Sequence, residues 1–212
     1  IHKLIDPLFL EEFRNDFKEA MSRKDGKKKI QLLKTLQDKM ASKTFLDPAA
    51  GSGNFLTEAY LSLRRLENDI LRETITDSSG TGILGFDEEE LNPIKVSIQQ
   101  FYGIEINDFA VAVAKTAIWI AEAQMFKETE AIIHKEMDFL PLKSYSNIFE
   151  GNSAQIEWQS IVSKERISYI IGNPPFVGTN YMSDSQRLDI FNDEAVTVPD
   201  KFLEDIVAPF NA

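Results

Sequence analysis

Cysteine is absent from the 212 residues, which excludes disulfides, thiolate zinc sites and cysteine nucleophiles and favours an intracellular, cytoplasmic setting. Histidine is nearly absent too: His2 and His134 are too far apart to suggest a metal centre, so no metal site is expected. Long apolar runs are missing. The most apolar stretch, Phe109 to Met125, is interrupted by Lys115 and Glu122 and falls short of a bilayer span; a buried helix and no membrane contact are expected. The first residues carry charge early and lack a small-residue cleavage site, so no signal peptide is expected. Positive charge is scarce: 23 Lys and Arg face 34 Asp and Glu, a net charge of −11 that argues against a free-standing nucleic-acid binder. The deficit is uneven, since residues 1–42 hold ten basic and seven acidic side chains, leaving thirteen against twenty-seven for the rest. The basic group Arg23, Lys24, Lys27, Lys28 and Lys29 reads as a solvated turn between helices, with phosphate contact as the lesser alternative.

Hydrophobic content of 43% and charged content of 27% are ordinary for a globular protein, and the length suits one domain with a small helical appendage. Leu8, Phe9, Phe13, Phe17 and Met21 recur at helical spacing, as do Ile30, Leu33, Leu36 and Met40, with Asp25-Gly26 between the two helices. This segment reads as a helical cap packed on the remainder of the chain. A strand at Thr44–Leu46 enters a glycine loop, and a helix with an apolar stripe runs from about Asn54 to Thr74. Asp77 to Gly85 reads as a surface loop that the acidic run Asp87 to Glu90 continues. Further strands are expected at Phe101–Ile106, near Asn147–Gly151 and at Ile167–Ile171, with Asn107-Asp108 capping the Phe109 helix. Alternating strand and helix make the fold class α/β with a parallel, doubly wound sheet. In the polar tail a short helix is expected to start at Pro199.

Three motifs carry chemistry. In Asp47-Pro48-Ala49-Ala50-Gly51-Ser52-Gly53-Asn54-Phe55, the two glycines permit backbone conformations closed to other residues and let a ligand approach the main chain. Such a loop lies at the carboxyl edge of the sheet, where open α/β folds bind ligands. Leu56 occupies the place of a dinucleotide fingerprint's third glycine, and no Lys-Ser/Thr phosphate pair is present. The leading acid Asp47 suits a cationic or amino-bearing ligand such as S-adenosylmethionine; a structural turn with a capping acid is the plain alternative. Glu105, after the buried run Tyr102-Gly103-Ile104, is where a ribose's hydroxyls are gripped in such folds, with Ile106 against an adenine face and the Asn152 amide at an adenine edge. Asn173-Pro174-Pro175-Phe176 comes after a mostly apolar run. Both prolines lack an N–H and restrict the residues before them, so the loop is stiff and acceptor-rich, suited to holding an amino group under a ring.

Together these pieces resemble an amino-group DNA methyltransferase. Asp47 to Phe55 looks like the family's cofactor loop, Tyr102 to Asn107 like its ribose-binding strand and Asn173 to Phe176 like its catalytic tetrapeptide. Their order is that of the gamma class of N6-adenine enzymes, and the likeness is closest to the methyltransferase part of MmeI-like single-chain restriction–modification proteins. The resemblance covers roughly residues 1–182. It implies a Rossmann-like sheet, S-adenosylmethionine as cofactor held by Asp47, Pro48, Ala49, Gly51, Gly53, Asn54, Phe55, Glu105, Ile106 and Asn152, and a target adenine flipped from duplex DNA. Phe176 would stack on that base, while the Asn173 oxygen and the Pro174 carbonyl accept its two N6 hydrogens, with Pro175 stiffening the loop. Methyl transfer would be direct, without a metal or a covalent enzyme intermediate.

The expected organisation is a helical segment (1–42), a cofactor-binding and catalytic core (43–182) and a tail that the sequence does not place (183–212). Ile1 to Ile5 begins just inside the segment that packs on the methionine end of the cofactor in that family, so weak cofactor affinity is expected. Beyond about Ser183 no later strands of such a sheet can be matched, nor a target-recognition domain or a nuclease cluster. An incomplete sheet is therefore expected, with double-stranded DNA held through domains outside these residues. Two alternatives stand beside this one: transfer to another amino or amide nitrogen (cytosine N4, RNA or protein glutamine), and a non-catalytic cofactor-binding scaffold.

Overall fold

The computed structural model of the chain describes residues 1, 5–78, 93–134 and 147–173. A π-helical turn, Asp6–Leu10, runs into helix α1 (Glu11–Met21), and α2 (Gly26–Ala41) comes next. Asp25 separates them for a local reason: its carboxylate accepts from the N–H groups of Lys27 and Lys28, capping α2. Strand β1 (Phe45–Asp47) leads to α3 (Asn54–Ser78), β2 (Phe101–Glu105) to α4 (Asp108–Ile133), and β3 (Ile148–Glu150) and β4 (Tyr169–Ile170) complete the order. The strands form one parallel sheet in the order β3-β2-β1-β4. Two successive crossovers step outward from β1 through α3 and α4, and the third returns to the other side of β1. The direction of winding therefore reverses between β1 and β4, the position at which open α/β sheets bind ligands.

The two faces of the sheet are covered differently. On one face Tyr169, Phe45 and Phe101 sit at matching register and stack across three strands, with ring centroids 5.2 and 4.9 Å apart. Phe9 packs on Phe45 at 4.9 Å, and Tyr60 of α3 meets Phe101 edge-on. The helical segment thus shares one core with the sheet: Phe9, Phe13, Leu33, Leu36 and Met40 cluster with Phe45, Leu56, Leu63, Ile118 and Ile148. On the opposite face Leu46, Tyr102 and Ile104 pack against Val162, with Ile156, Trp158 and Ile167 around them. That cover comes from residues 151–168, whose helical content is two short 3-10 turns (Trp158–Ser160 and Lys164–Arg166). Among the described residues, then, the long helices lie on one face alone.

Several boundaries move from their expected places. The first strand includes Asp47, which belongs to the sheet and not to the loop. Asp77 and Ser78 continue α3, and the rest of the loop expected up to Gly85, with the acidic run after it, lies outside the described residues. The fourth strand shortens to two residues, Tyr169 and Ile170; Ile167 instead caps the 3-10 turn Lys164–Arg166 and packs on the second core. Helix α4 is longer than Phe109–Met125 and is not a buried helix throughout. Val111, Ala114, Ile118, Ala121 and Met125 are buried, whereas Phe109, Val113 and Ile120 are exposed. By length and hydropathy alone α4 could cross a membrane, but its inner face belongs to the same core as the sheet. The third strand and the Asn107 cap fall where expected, the Asn107 side chain accepting from the Ala110 N–H at 2.9 Å. The basic turn before α2 lies far from the sheet's carboxyl edge. Lys29 pairs with Glu73 of α3 at 2.9 Å, about 28 Å along that helix from Asn54 at 1.5 Å per residue.

Candidate active site

Four strand ends are stitched together at the carboxyl edge. The Ala50 N–H donates to the Ile104 carbonyl, the Gly151 N–H to the Glu105 carbonyl and the Ile171 N–H to the Leu46 carbonyl, each at 2.9 Å. Gly51 (φ 54°) and Gly53 (φ 78°) occupy the left-handed region, which lets the loop turn tightly into α3. A Cβ on Gly53 would lie 2.9 Å from the Ala114 Cβ, so glycine there also brings the loop against α4; around Gly51 the space is open.

Asp47 is completely buried at the end of β1. Its Oδ1 accepts from the Ala49 N–H at 3.0 Å, a turn that sets the loop's first bend, while Oδ2 has no hydrogen-bond partner among the described residues. Burial is the main cause that pushes this carboxyl up to about 7; repulsion from Glu105 adds to the shift and the Ala49 N–H opposes it. A buried oxygen without a donor is costly unless something meets it. A cationic or amino-bearing ligand is what this donor-poor position fits.

Glu105, half-buried at the end of β2, is tied to the glycine loop. Its Oε2 accepts from the Gly51 N–H at 2.8 Å and its Oε1 from the Asn107 N–H at 2.9 Å. Each carboxylate oxygen retains a second acceptor site, enough for a pair of hydroxyls. Ile106 and Phe109 stand exposed at the β2–α4 junction, 68% and 75% accessible. The Asn152 Oδ1 accepts from the Ala154 N–H at 3.0 Å, so that oxygen shapes the turn after β3. Pro48, Ala49 and Phe55 are partly buried and Asn54 is exposed at the start of α3.

Asn173, exposed, lies just after β4, directly across the reversal point from Asp47. A Cβ on the preceding Gly172 would lie 2.6 Å from Asp47 Oδ1, so the acid that ends β1 touches the main chain one residue before the amide. Pro174, Pro175 and Phe176 lie outside the described residues, as does the tail from 183 with its helix expected after Pro199. The sheet therefore brings Asp47, the glycines, Glu105 and Asn173 to one edge. The ties from Glu105 to Gly51 and from Asp47 to Gly172 escape a reading by spacing, because each joins residues more than fifty positions apart. Among the described residues no group of three or more His, Asp or Glu is placed to hold a metal ion.

A parallel sheet with its reversal beside a glycine loop, an acid closing the second strand and an Asn after the fourth give the chain the Rossmann-like α/β fold of the methyltransferase class. Comparison with known proteins makes this narrower: the chain belongs to the family of the MmeI DNA-methyltransferase domain, whose profile matches residues 19–209. DNA methyltransferase A of Bacillus subtilis (strain 168) is 36% identical over 195 residues, covering 91% of this chain and 20% of that protein. The type IIL restriction-modification enzyme MmeI, solved in complex with DNA, superposes with a TM-score of 0.77 at 34% identity, covering 90% of this chain and 24% of that one. The chain thus spans about a fifth to a quarter of the length of these relatives.

Proposed function

We propose that this chain is the methyl-transferring part of a longer cytoplasmic restriction–modification or defence protein that uses S-adenosylmethionine to methylate N6 of adenine in double-stranded DNA. The observation that carries the reading is the meeting of buried Asp47 with Gly172, next to Asn173, at the reversal of the sheet. When bound, S-adenosylmethionine supplies a sulfonium methyl group electrophilic enough for an amino nitrogen to attack.

The residues of the chain do the rest. Asp47 meets the positive end of the cofactor, and Pro48, Ala49, Gly51, Gly53, Asn54 and Phe55 form its cradle at the N-terminus of α3. Glu105 uses its remaining acceptor sites on the ribose hydroxyls, Ile106 offers an apolar surface to the adenine ring, and Asn152 lies at the ring's edge. The target base leaves the duplex at an unstacking cost of a few kcal/mol. Phe176 stacks on it, while the Asn173 oxygen and the Pro174 carbonyl accept its two amino hydrogens, with Pro175 keeping the loop stiff. Those two hydrogen bonds turn the nitrogen lone pair toward the methyl group, so catalysis is orientation plus electrostatics. Duplex DNA is held mainly by other domains of the longer protein.

Full-length protein, labelled S-adenosylmethionine and duplex DNA provide the test, with nucleosides analysed by mass spectrometry. Label in N6-methyladenine is expected, and label in N4-methylcytosine, RNA or protein would redirect the assignment. Asn173→Ala should abolish transfer and leave cofactor affinity within a fewfold of wild type. Transfer that survives this substitution would remove Asn173 from the chemistry.

A further inference from the structure

Asn173 is exposed, so burial of its own side chain does not fix it; the main chain leading into it must. Ile171 is anchored through its N–H to the Leu46 carbonyl at 2.9 Å. One residue on, a Cβ at Gly172 would meet Asp47 Oδ1 at 2.6 Å, Asp47 Cγ at 3.3 Å and Pro48 Cδ at 3.6 Å. The acid has little room to yield. Asp47 is completely buried, its main chain is in register with Gly103 of β2, and its Oδ1 is held by the Ala49 N–H. The next residue, Pro48, has a fixed φ. A side chain at position 172 would therefore displace the segment that enters Asn173.

We propose that Gly172 is a positioning residue for methyl transfer: its bare Cα lets the Asp47 carboxylate lie against the main chain and so sets the catalytic amide relative to the glycine loop by direct contact. This rests on the assignment of Asn173 as acceptor of the amino hydrogens. The contact makes the cofactor-binding and base-holding halves of the site a single geometric unit across the β1–β4 reversal. It also assigns a role to a residue that has no side chain of its own.

The test uses the full-length protein as wild type, Gly172→Ala, Asp47→Ala and the double variant. Single-turnover methyl transfer to duplex DNA, calorimetric affinity for S-adenosylmethionine and melting temperature are measured for each. Gly172→Ala should lose about 100-fold in transfer rate, the scale expected of an ångström-sized misplacement, with cofactor affinity within about threefold of wild type. Asp47→Ala gives the added methyl group room, so the double variant should lose less than the product of the two single losses. A merely structural role would lower affinity and melting temperature together and show neither the rate–affinity split nor the non-additivity. A wild-type rate in Gly172→Ala, or strictly multiplicative losses, would overturn the proposal. If Gly172→Ala folds poorly, the double variant should melt above it, and a double variant melting at or below the single one overturns the proposal equally. A wild type that transfers no methyl to DNA defeats the functional assignment and this proposal with it. An active wild type with an indifferent Gly172→Ala rejects the positioning role alone.

Discussion

Asp47 takes up its proton near neutrality in the fold, at about 7 against an ordinary value of 3.8. The folded chain therefore binds this proton more tightly than the unfolded chain does. Its favourable contribution to stability is complete below about pH 4 and is lost as the pH rises through 7. Between pH 5 and 8 wild type should lose up to about 3 kcal/mol from this group, at about 1.4 kcal/mol per unit of pH, and Asp47→Asn should not. Urea midpoints of both proteins at the two pH values check this; parallel shifts would show that Asp47 ionises like an exposed acid. Cofactor binding should carry the opposite dependence. A positively charged ligand needs the carboxylate ionised, so S-adenosylmethionine affinity should rise up to about tenfold per unit toward pH 7 and level off above it. Asp47 was legible as a candidate site residue from its place before two glycines. Its isolation was not, because the burial that raises its affinity for protons comes from residues scattered along the chain.

Among the helices, α3 carries what periodicity could not reveal. Its apolar stripe, including Leu56, Leu63, Leu66 and Ile70, was readable from spacing, yet Arg64, Glu67 and Asn68 are also buried. The Arg64 guanidinium pairs with Glu67 and donates to Thr129 Oγ1 of α4 at 2.7 Å, and that hydroxyl donates to Asn68 Oδ1 at 2.7 Å. Glu67 Oε1 accepts from Gln37 Nε2 of α2 and from the N–H groups of Lys95 and Val96. The network joins three helices to the segment entering β2, and its members come from positions 37, 64–68, 95–96 and 129. No local pattern announces it. Removing one member of a buried pair strands its partner, so Glu67→Ala should cost about 3–5 kcal/mol in denaturant unfolding, and Arg64→Met with Glu67→Leu should cost clearly less. Glu67 lies about 20 Å along α3 from Asn54. Cofactor affinity of the folded Glu67→Ala protein should therefore equal that of wild type, and a large loss would mean that the network reaches the site. Helix α4 shows the converse error. Its sequence is apolar nearly all round, which reads as full burial, but the structure packs one face and leaves Phe109, Val113 and Ile120 to solvent.

For the whole molecule, the same charge that argued against a nucleic-acid binder bears on how the proposed reaction is organised. Residues 43–212 hold thirteen basic and twenty-seven acidic side chains, a net −14, and at the sheet edge half-buried Glu105 adds a carboxylate of its own. The basic side chains of the α1–α2 turn cannot compensate, being at the far end of α3 from the glycine loop. Non-specific DNA affinity comes mainly from cations that neutralise phosphates, and acidic surfaces work against it. The 212-residue chain should accordingly bind a duplex oligonucleotide no more tightly than about 10⁻⁴ M at physiological salt, the weak end of non-specific binding. It should nevertheless take up S-adenosylmethionine, if weakly as the sequence leads one to expect, because the proposed cradle draws on the ends of β1 and β2 and the glycine loop. Fluorescence anisotropy with labelled duplex, at low and physiological salt, checks the first statement, and calorimetry with the cofactor checks the second. Micromolar DNA binding that falls steeply with salt would mean that this chain presents a phosphate-binding surface of its own. Weak DNA binding together with retained cofactor binding would instead assign grip on the duplex to the rest of a longer protein and leave this chain the chemistry.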